Sequence, residues 1–284
     1  MNNIYQIKNL HCKYKQGKNP VLVIDELNIK EGKIVFFIGA SGVGKSTILE
    51  TLGLMNNTIS KQEKTEFYFK QDNETIDLLS IWNKGEKSLS AFRRKHLSFI
   101  FQNTNLFGNL TMYQNANITQ VLQGKTEMEA IRNSTKFFKN ILSDIVGNTA
   151  GDRKITEMSG GQRQRLAFTR AISTNYSVLF ADEPTGNLDY ANAHNLMKIL
   201  AENIRINNKT SVIVSHDIAL AVEFADEIVL IDKRKSSDNT FQYGLISNET
   251  IYKKNESNWL NMDIEIDSKN LINVLKNKII KQAE

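Results

Sequence analysis

The run GASGVGKST at residues 39–47 constrains this chain more than any other stretch. It has the spacing G-x-x-x-x-G-K-[ST], follows the apolar run KIVFFI at 33–38 and leads into a helical pattern over 47–55. Glycines let backbone N–H groups converge on phosphate oxygens, a lysine adds positive charge, and the helix N-terminus adds its dipole. The predicted phosphate-binding residues are Gly39, Ala40, Ser41, Gly42, Val43, Gly44, Lys45, Ser46 and Thr47, with the Ser46 hydroxyl offered to Mg²⁺.

Short apolar runs recur along the chain and predict an α/β fold with a mainly parallel sheet covered by helices. Helices are predicted over 47–55 and 190–207, and residues 103–165 read as an inserted helical subdomain. The predicted strands are 21–30, 33–38, 66–70 (an edge strand), 97–101, 177–181, 211–215 and 227–231.

Residues 241–284 are expected to form a separate C-terminal extension after a domain spanning residues 1–240. The pattern indicates a short hairpin over 241–255 and an amphipathic helix that Ser268 caps and that runs through Lys281. We expect this helix to pack on its own domain rather than on a partner.

Composition narrows the function classes. A single cysteine, Cys12, excludes an intramolecular disulfide and fits a reducing compartment. The N-terminus shows no secretory pattern, and no apolar run approaches the roughly 20 residues that span a bilayer. The net charge of +5 is scattered over lysines without interleaved aromatic residues, so it indicates solvated surface rather than a nucleic-acid site.

Polar residues follow several of the predicted strands. Asp182 and Glu183 end the run SVLFA, where a carboxylate is costly unless a cation is near, so we expect Asp182 to hold Mg²⁺ and Glu183 to deprotonate the attacking water. Gln102 directly follows LSFIF and can reach the metal. His216 directly follows SVIVS and can donate a hydrogen bond to the γ-phosphate. Ordinary strand-end roles remain open for Gln102 and His216, and a helix-capping role remains open for Glu183. A plain surface role also remains open for Tyr14, whose ring could stack on a base.

A second glycine pair lies in EMSGGQRQR at 157–165, at the predicted start of another helix. Gly160 and Gly161 permit close backbone approach, and the helix beginning near Gln162 points its positive end at an anion. The chain therefore has two sequence segments suited to phosphate.

GASGVGKST, the glutamine of FIFQN, MSGGQ, FADEPTGNLD and VSHD stand in the order and spacing of the nucleotide-binding subunits of ABC transporters. The resemblance covers about residues 1–235 and implies a P-loop NTPase fold of the ABC type, with an antiparallel β subdomain beside the parallel sheet. GNLD at 186–189 further resembles the ATPases of lipoprotein release, macrolide export, cell-division and peptide-antibiotic resistance systems.

The resemblance implies that two subunits pack head to tail around ATP and Mg²⁺. Ser159, Gly160, Gly161 and Gln162 then bind the γ-phosphate held by the neighbour, and Asp189 crosses the dimer interface. It also implies that Tyr14 stacks on adenine, that Gln102 couples the metal site to a membrane permease, and that the permease docks on 103–165 from the cytoplasmic side. The chain departs from the usual pattern at Met158, where leucine is common, and at Gly108 and Gln114 after Gln102.

Three functions fit these sequence features. The first is an ATPase that powers a membrane transporter, of the lipoprotein-release or macrolide/peptide-export kind. The second is a soluble ABC ATPase, of the iron–sulfur assembly type or acting on nucleic acid. The third is a regulator that has lost hydrolysis, which the intact Lys45, Asp182, Glu183 and His216 oppose.

Overall fold

The computed structural model describes residues 2–72, 74–145 and 153–283. It divides into two compact units, one formed by residues 1–91 with 210–284 and the other by residues 92–209. Within the described ranges, no helix combines the length and apolarity needed to cross a bilayer.

The helices and strands follow one another along three parts of the chain. The first part contains β1 (Asn3–Cys12), β2 (Leu22–Lys30), β3 (Ile34–Ile38), α1 (Lys45–Leu52), β4 (Ile59–Ser60), β5 (Glu66–Gln71), β6 (Glu74–Asp77), α2 (Leu78–Asn83) and α3 (Glu86–His96). The middle contains β7 (Leu97–Ile100), α4 (Met112–Leu122), α5 (Glu127–Ile141), α6 (Gly160–Ser173), β8 (Val178–Asp182) and α7 (Tyr190–Asn207). The last part contains β9 (Thr210–Val214), α8 (Ile218–Phe224), β10 (Glu227–Leu230), β11 (Asp232–Lys235), β12 (Gln242–Ile246), β13 (Ile251–Asn255), β14 (Asn258–Asn261), β15 (Ile264–Asp267) and α9 (Ser268–Ala283).

The first unit contains two sheets. One has the order β11-β12-β2-β1-β5-β6 and is antiparallel except where β12 runs parallel to β2. The other contains β10, β3 and β9 in parallel, extended antiparallel by β13, β14 and β15. Every residue of β3, β9 and β10 is buried, which explains their continuous apolar sequence. The phosphate-loop sequence therefore starts at the end of a buried parallel strand.

Within its described residues, the second unit contains the parallel strands β7 and β8 and the helices α4, α5, α6 and α7. β7 pairs with β8 in the register Leu97↔Val178 to Ile100↔Ala181. Helices α4 and α5 each begin with a threonine capping box, at Thr111 and Thr126, which defines two helix starts that periodicity alone does not give.

Two sequence expectations are wrong. The stretch 66–70 is a strand but not an edge, because the chain reverses near Asp72, which has a left-handed backbone (φ 51°), and β6 covers the outer side of β5. The hairpin over 241–255 does not form, because β12 joins β11 and β2 in one sheet whereas β13 joins β10 and β14 in the other. The predicted helix α9 is present. Its first turn is capped by Asp267 rather than Ser268, because the Asp267 carboxylate accepts a hydrogen bond from the Asn270 N–H.

Strand β12 lies directly against the phosphate loop. A Cβ added at Gly244 collides with the Val43 carbonyl oxygen and lies 2.8 Å from Cγ2 of Ile231. The backbone N–H of Gly244 also donates to the Val21 carbonyl oxygen at 2.9 Å. Only a residue without a side chain fits between these groups.

Gly244→Ala is expected to lower the free energy of unfolding by about 1–3 kcal/mol, because the added methyl group overfills a packed contact with backbone. Urea denaturation measures the loss. The matched control is Gly108→Ala, where a Cβ meets nothing within 4 Å. Equal stability of the two variants would contradict the close packing of Gly244 on the loop.

Candidate functional site

Three glycines with different surroundings allow the backbone conformation of the loop at 39–44. A Cβ at Gly39 would lie 2.9 Å from Cγ1 of Val43 and 3.0 Å from the Ile231 carbonyl oxygen. Gly42 and Gly44 have left-handed backbones, with φ of 76° and 107°, which disfavour any other residue. Gly42 faces open space, so its backbone is accessible to a ligand.

Lys45 is the first residue of α1 and its side chain turns back over the loop. Its Nζ donates to the carbonyl oxygens of Gly39 and Ala40 at 2.9 and 2.8 Å, and the residue is buried. Ser46, next in the helix, is exposed. The loop thus holds a positively charged group at the start of a helix, where an anion is favoured.

Two further predicted residues lie in the same unit. The Tyr14 hydroxyl is 3.1 Å from Oγ1 of Thr47, so the half-exposed ring is held to the first turn of α1. His216 follows β9 and is exposed; its neighbour Asp217 caps α8 by accepting from the Leu220 N–H at 3.0 Å. The cap sets where the chain turns after the histidine.

The second unit brings Gln102 and Asp182 to one edge of a strand pair. Asp182 follows Ala181, which pairs with Ile100, and Gln102 comes two residues after Ile100. The strands are parallel, so both polar residues stand at carboxyl ends. Gln102 is exposed and Asp182 is half-buried.

Glu183 has a left-handed backbone (φ 48°), which is uncommon for a residue with a side chain. Two hydrogen bonds hold this turn. Nε2 of Gln164 donates to the carbonyl oxygens of Glu183 and Pro184 at 3.2 and 2.9 Å. The amide oxygen of Gln164 accepts from Nδ2 of Asn187 at 3.1 Å. The buried Gln164 therefore ties α6 to both the carboxylate turn and the GNLD segment, a role that the sequence did not predict.

The second glycine pair forms the start of α6. Ser159 is the N-cap, its Oγ accepts from the Gln162 N–H at 3.2 Å, and the Gln162 side chain accepts from the Ser159 N–H at 3.0 Å. A Cβ at Gly160 meets nothing within 4 Å, whereas one at Gly161 lies 3.3 Å from Cδ2 of Leu188. The helix start is accordingly open on its Gly160 side and packed on its Gly161 side.

Hydrogen bonds hold one carboxylate against α6 and another at the end of GNLD. Arg165 of α6 makes a two-bond contact with Asp144, both at 2.8 Å, and the Arg165 bond holds the pKa of that carboxyl below its ordinary value. Asp189 caps α7, and its bonds from the N–H and side chain of Asn192 lower its pKa likewise. Asp189 is exposed and ionised at the end of GNLD.

Arg170 anchors the segment that follows Gln102. Its guanidinium donates to the carbonyl oxygens of Asn105 and Thr104, both at 2.9 Å, and burial lowers its pKa. The residue is 8% exposed. The sequence gives no sign of this role, because an arginine on a helix usually faces water.

Arg170→Ala is expected to lower the free energy of unfolding by about 2–4 kcal/mol, because two carbonyl groups lose charge-assisted hydrogen bonds. Hydrogen exchange of the amides at 103–107 should accelerate. Arg163→Ala, on the exposed side of the same helix, is the control. If both variants unfold at the same urea concentration, the guanidinium does not anchor this segment.

The residues assigned to magnesium carry suitable atoms. A serine hydroxyl, a glutamine amide oxygen and an aspartate carboxylate are the hard oxygen donors that Mg²⁺ takes. Within the described residues, no three histidine, cysteine, aspartate or glutamate side chains form a metal cage. Such a donor set suits a cation that keeps water ligands and binds together with phosphates.

Comparison with known families decides the identity. The family model described as ABC transporter matches residues 24–186. The chain belongs to the ABC transporter ATPase family. This ABC ATPase is 30% identical over 228 residues to the lipoprotein-releasing system ATP-binding protein LolD of Chromohalobacter salexigens, covering 80% of this chain and 90% of that protein. It is 31% identical over 242 residues to the macrolide export ATP-binding/permease protein MacB of a Shewanella species, covering 82% of this chain and 35% of that longer protein.

Solved structures agree. The dimeric structure of the bacterial ABC transporter cassette MJ0796 superimposes with a TM-score of 0.65 at 29% identity, over 80% of this chain and 93% of that one. A post-hydrolysis state of the same cassette, bound to ADP and Pi, gives 0.65 at 27% identity, over 84% and 98%. The predicted fold class is thereby confirmed. The ABC ATPase binds and hydrolyses ATP and serves a transporter, and the comparisons do not support the iron–sulfur alternative.

Proposed function

We propose that two copies of this ATPase close head to tail on ATP and Mg²⁺ and so drive a membrane permease. The observation that carries the proposal is the start of α6, which is capped, lacks side chains at two positions and is open beside Gly160. A helix start prepared in this way suits an anion brought by a second subunit. The dimeric structure of the related MJ0796 cassette supports dimerisation.

Each predicted residue has a role in this proposal. The loop from Gly39 to Thr47 holds the phosphates, and Tyr14 holds the base. Ser46, Gln102 and Asp182 hold Mg²⁺, which screens the phosphate charge when bound. Glu183 takes a proton from the attacking water, and His216 donates to the γ-phosphate. The partner copy supplies the segment from Ser159 to Gln162, and Asp189 lies at the interface between copies.

We propose that the permease is of the lipoprotein-release or macrolide/peptide-export kind. The support is the GNLD run at 186–189 and the similarity to LolD and MacB. The region 103–165 presents exposed apolar side chains suited to a docking partner, and they are Phe107, Val121, Leu122, Met128 and Ile131. The ATPase then works on the cytoplasmic face of the membrane, held there by the permease.

The test is capture of tagged Glu183→Gln protein from gently solubilised native membranes with ATP present. Recovery of a polytopic membrane protein is expected, and its extracytoplasmic domain would indicate the cargo class. The Lys45→Ala variant, treated identically, controls for capture that does not depend on nucleotide. Recovery of soluble partners alone would contradict the transport role.

A further inference from the structure

The end of the C-terminal helix reaches the phosphate loop. Gln282 of α9 is 8% exposed, and its Oε1 accepts from the Ala40 N–H at 3.4 Å. Its Nε2 donates to Oδ1 of Asp232 at 3.1 Å, and its carbonyl oxygen accepts from Nζ of Lys233 at 2.8 Å. One buried side chain therefore connects the loop to strand β11 and to the last turn of α9.

A cavity of about 560 Å³ lies beside this connection, between β11, β12 and α9. Gln282 lines it together with five cationic residues, namely Lys233, Arg234, Lys235, Lys278 and Lys281. The acidic residues in its lining are Asp232 and Glu249, so five positive and two negative groups leave a formal charge of +3. Its volume suits a small organic ligand, and its charge favours an anion.

The five cations fall into two sets, and the first includes Lys233, which donates to the Gln282 carbonyl oxygen at 2.8 Å. Arg234 pairs with Asp232 at 2.7 Å, and Lys278 donates to the Tyr252 hydroxyl at 2.8 Å. Lys235 and Lys281 form the second set and are exposed, so a ligand meets them without breaking the contacts that hold the cavity together. The arrangement thus combines three cations held by neighbouring groups with two further exposed ammonium groups.

We propose that this cavity binds a phosphate-bearing anion, and that the bound anion weakens ATP binding through Gln282. This inference goes beyond the proposed transport function, because it concerns a second site outside the nucleotide motifs. The anion attracts Lys233, which donates to the Gln282 carbonyl oxygen, and Lys281, which precedes Gln282 in the chain. Gln282 is then drawn from the Ala40 N–H, and the loop loses an acceptor that holds its backbone. Gln282 is thus a positioning residue.

Binding is measured by calorimetry with inorganic pyrophosphate, on full-length protein whose ATP site is filled with a slowly hydrolysed ATP analogue. The test variant is Lys235→Ala with Lys281→Ala, and the control is Lys269→Ala with Lys276→Ala on α9. Both remove two positive charges, so loss of unspecific attraction is equal. The wild type and the control should bind one pyrophosphate, and the test variant about tenfold more weakly or worse.

A lipid headgroup carries the same chemistry as a free phosphate. Co-sedimentation with phosphatidylglycerol vesicles, against phosphatidylcholine vesicles, separates the two sources. If only the test variant loses vesicle binding, the site binds a membrane headgroup. If both double variants bind vesicles equally and only the test variant binds pyrophosphate more weakly, the site binds a soluble ligand. The proposal fails if the wild type binds neither probe, or if the two double variants lose binding equally.

The effect of the bound anion on ATP binding is measured as the KM for ATP with and without pyrophosphate. Competition at the ATP site raises KM equally in all variants, so the Lys235→Ala/Lys281→Ala variant reports it alone. The wild type should show a further rise of about threefold at unchanged kcat, the size expected from one hydrogen bond, and Gln282→Ala should not. A Gln282→Ala variant with the wild-type rise would overturn the role of Gln282, whatever happens to transport.

Discussion

Glu183→Gln is expected to lower ATP turnover by about 10²–10⁴-fold, because a general base contributes that much and an amide cannot take the proton. ATP affinity should stay near that of the wild type. The substitution keeps the side-chain shape, and the Gln164 bonds that hold the turn go to backbone oxygens. ATP should therefore trap the protein as a dimer, visible by size-exclusion chromatography, while phosphate release stops.

Glu202→Gln is a suitable control for the charge change, because Glu202 is exposed on α7. It should hydrolyse ATP at the wild-type rate and show no trapped dimer. Turnover by Glu183→Gln near the wild-type rate would remove Glu183 from the role of general base.

Lys45→Ala should weaken ATP binding by about 10–100-fold, because a buried ammonium group at the loop is lost.

Ser159→Asp should leave ATP binding to its own loop intact but stop hydrolysis. Aspartate is as good an N-cap as serine, so α6 is retained while the new charge repels the γ-phosphate. Mixed one to one, the two inactive proteins should recover about a quarter of wild-type turnover, since about half of the dimers are mixed and each has one complete site.

Ser159→Asn serves as the neutral control, because it keeps the cap without adding charge. A mixture of Lys45→Ala with Lys45→Ala/Ser159→Asp should stay inactive, because no phosphate loop in it is complete. No recovery in the first mixture, with each protein shown to be folded, would contradict the sharing of one ATP between two subunits.

The motifs and buried strands were predictable because their chemistry is local. The run KIVFFI is apolar throughout since β3 is buried, and the helix over 190–207 matches α7 (Tyr190–Asn207). Glycines and Lys45 had to lie together because they are adjacent in sequence. The roles of individual site residues remain predictions, which the variants of Lys45, Ser159 and Glu183 address.

Contacts between distant segments could not be predicted. Arg170 meets carbonyl groups about 65 residues earlier in the chain, and Gln282 meets Ala40 across 242 positions. A backbone carbonyl or N–H group leaves no trace in residue type, so neither partner can be identified from sequence. The strand pairing of residues 241–267 could not be predicted for a related reason, because strands of four or five residues are too short and too polar to show a period.

The hydrogen bond between Tyr14 and Thr47 bears on which nucleotides the ATPase accepts. It fixes the aromatic ring beside α1 and occupies the hydroxyl that could otherwise probe the edge of a base. A ring face attracts every purine similarly, because stacking does not distinguish amino from carbonyl substituents. With Tyr14 as the platform for the base, GTP should bind nearly as well as ATP and compete with it. The nucleotide that is hydrolysed would then depend on cellular abundance.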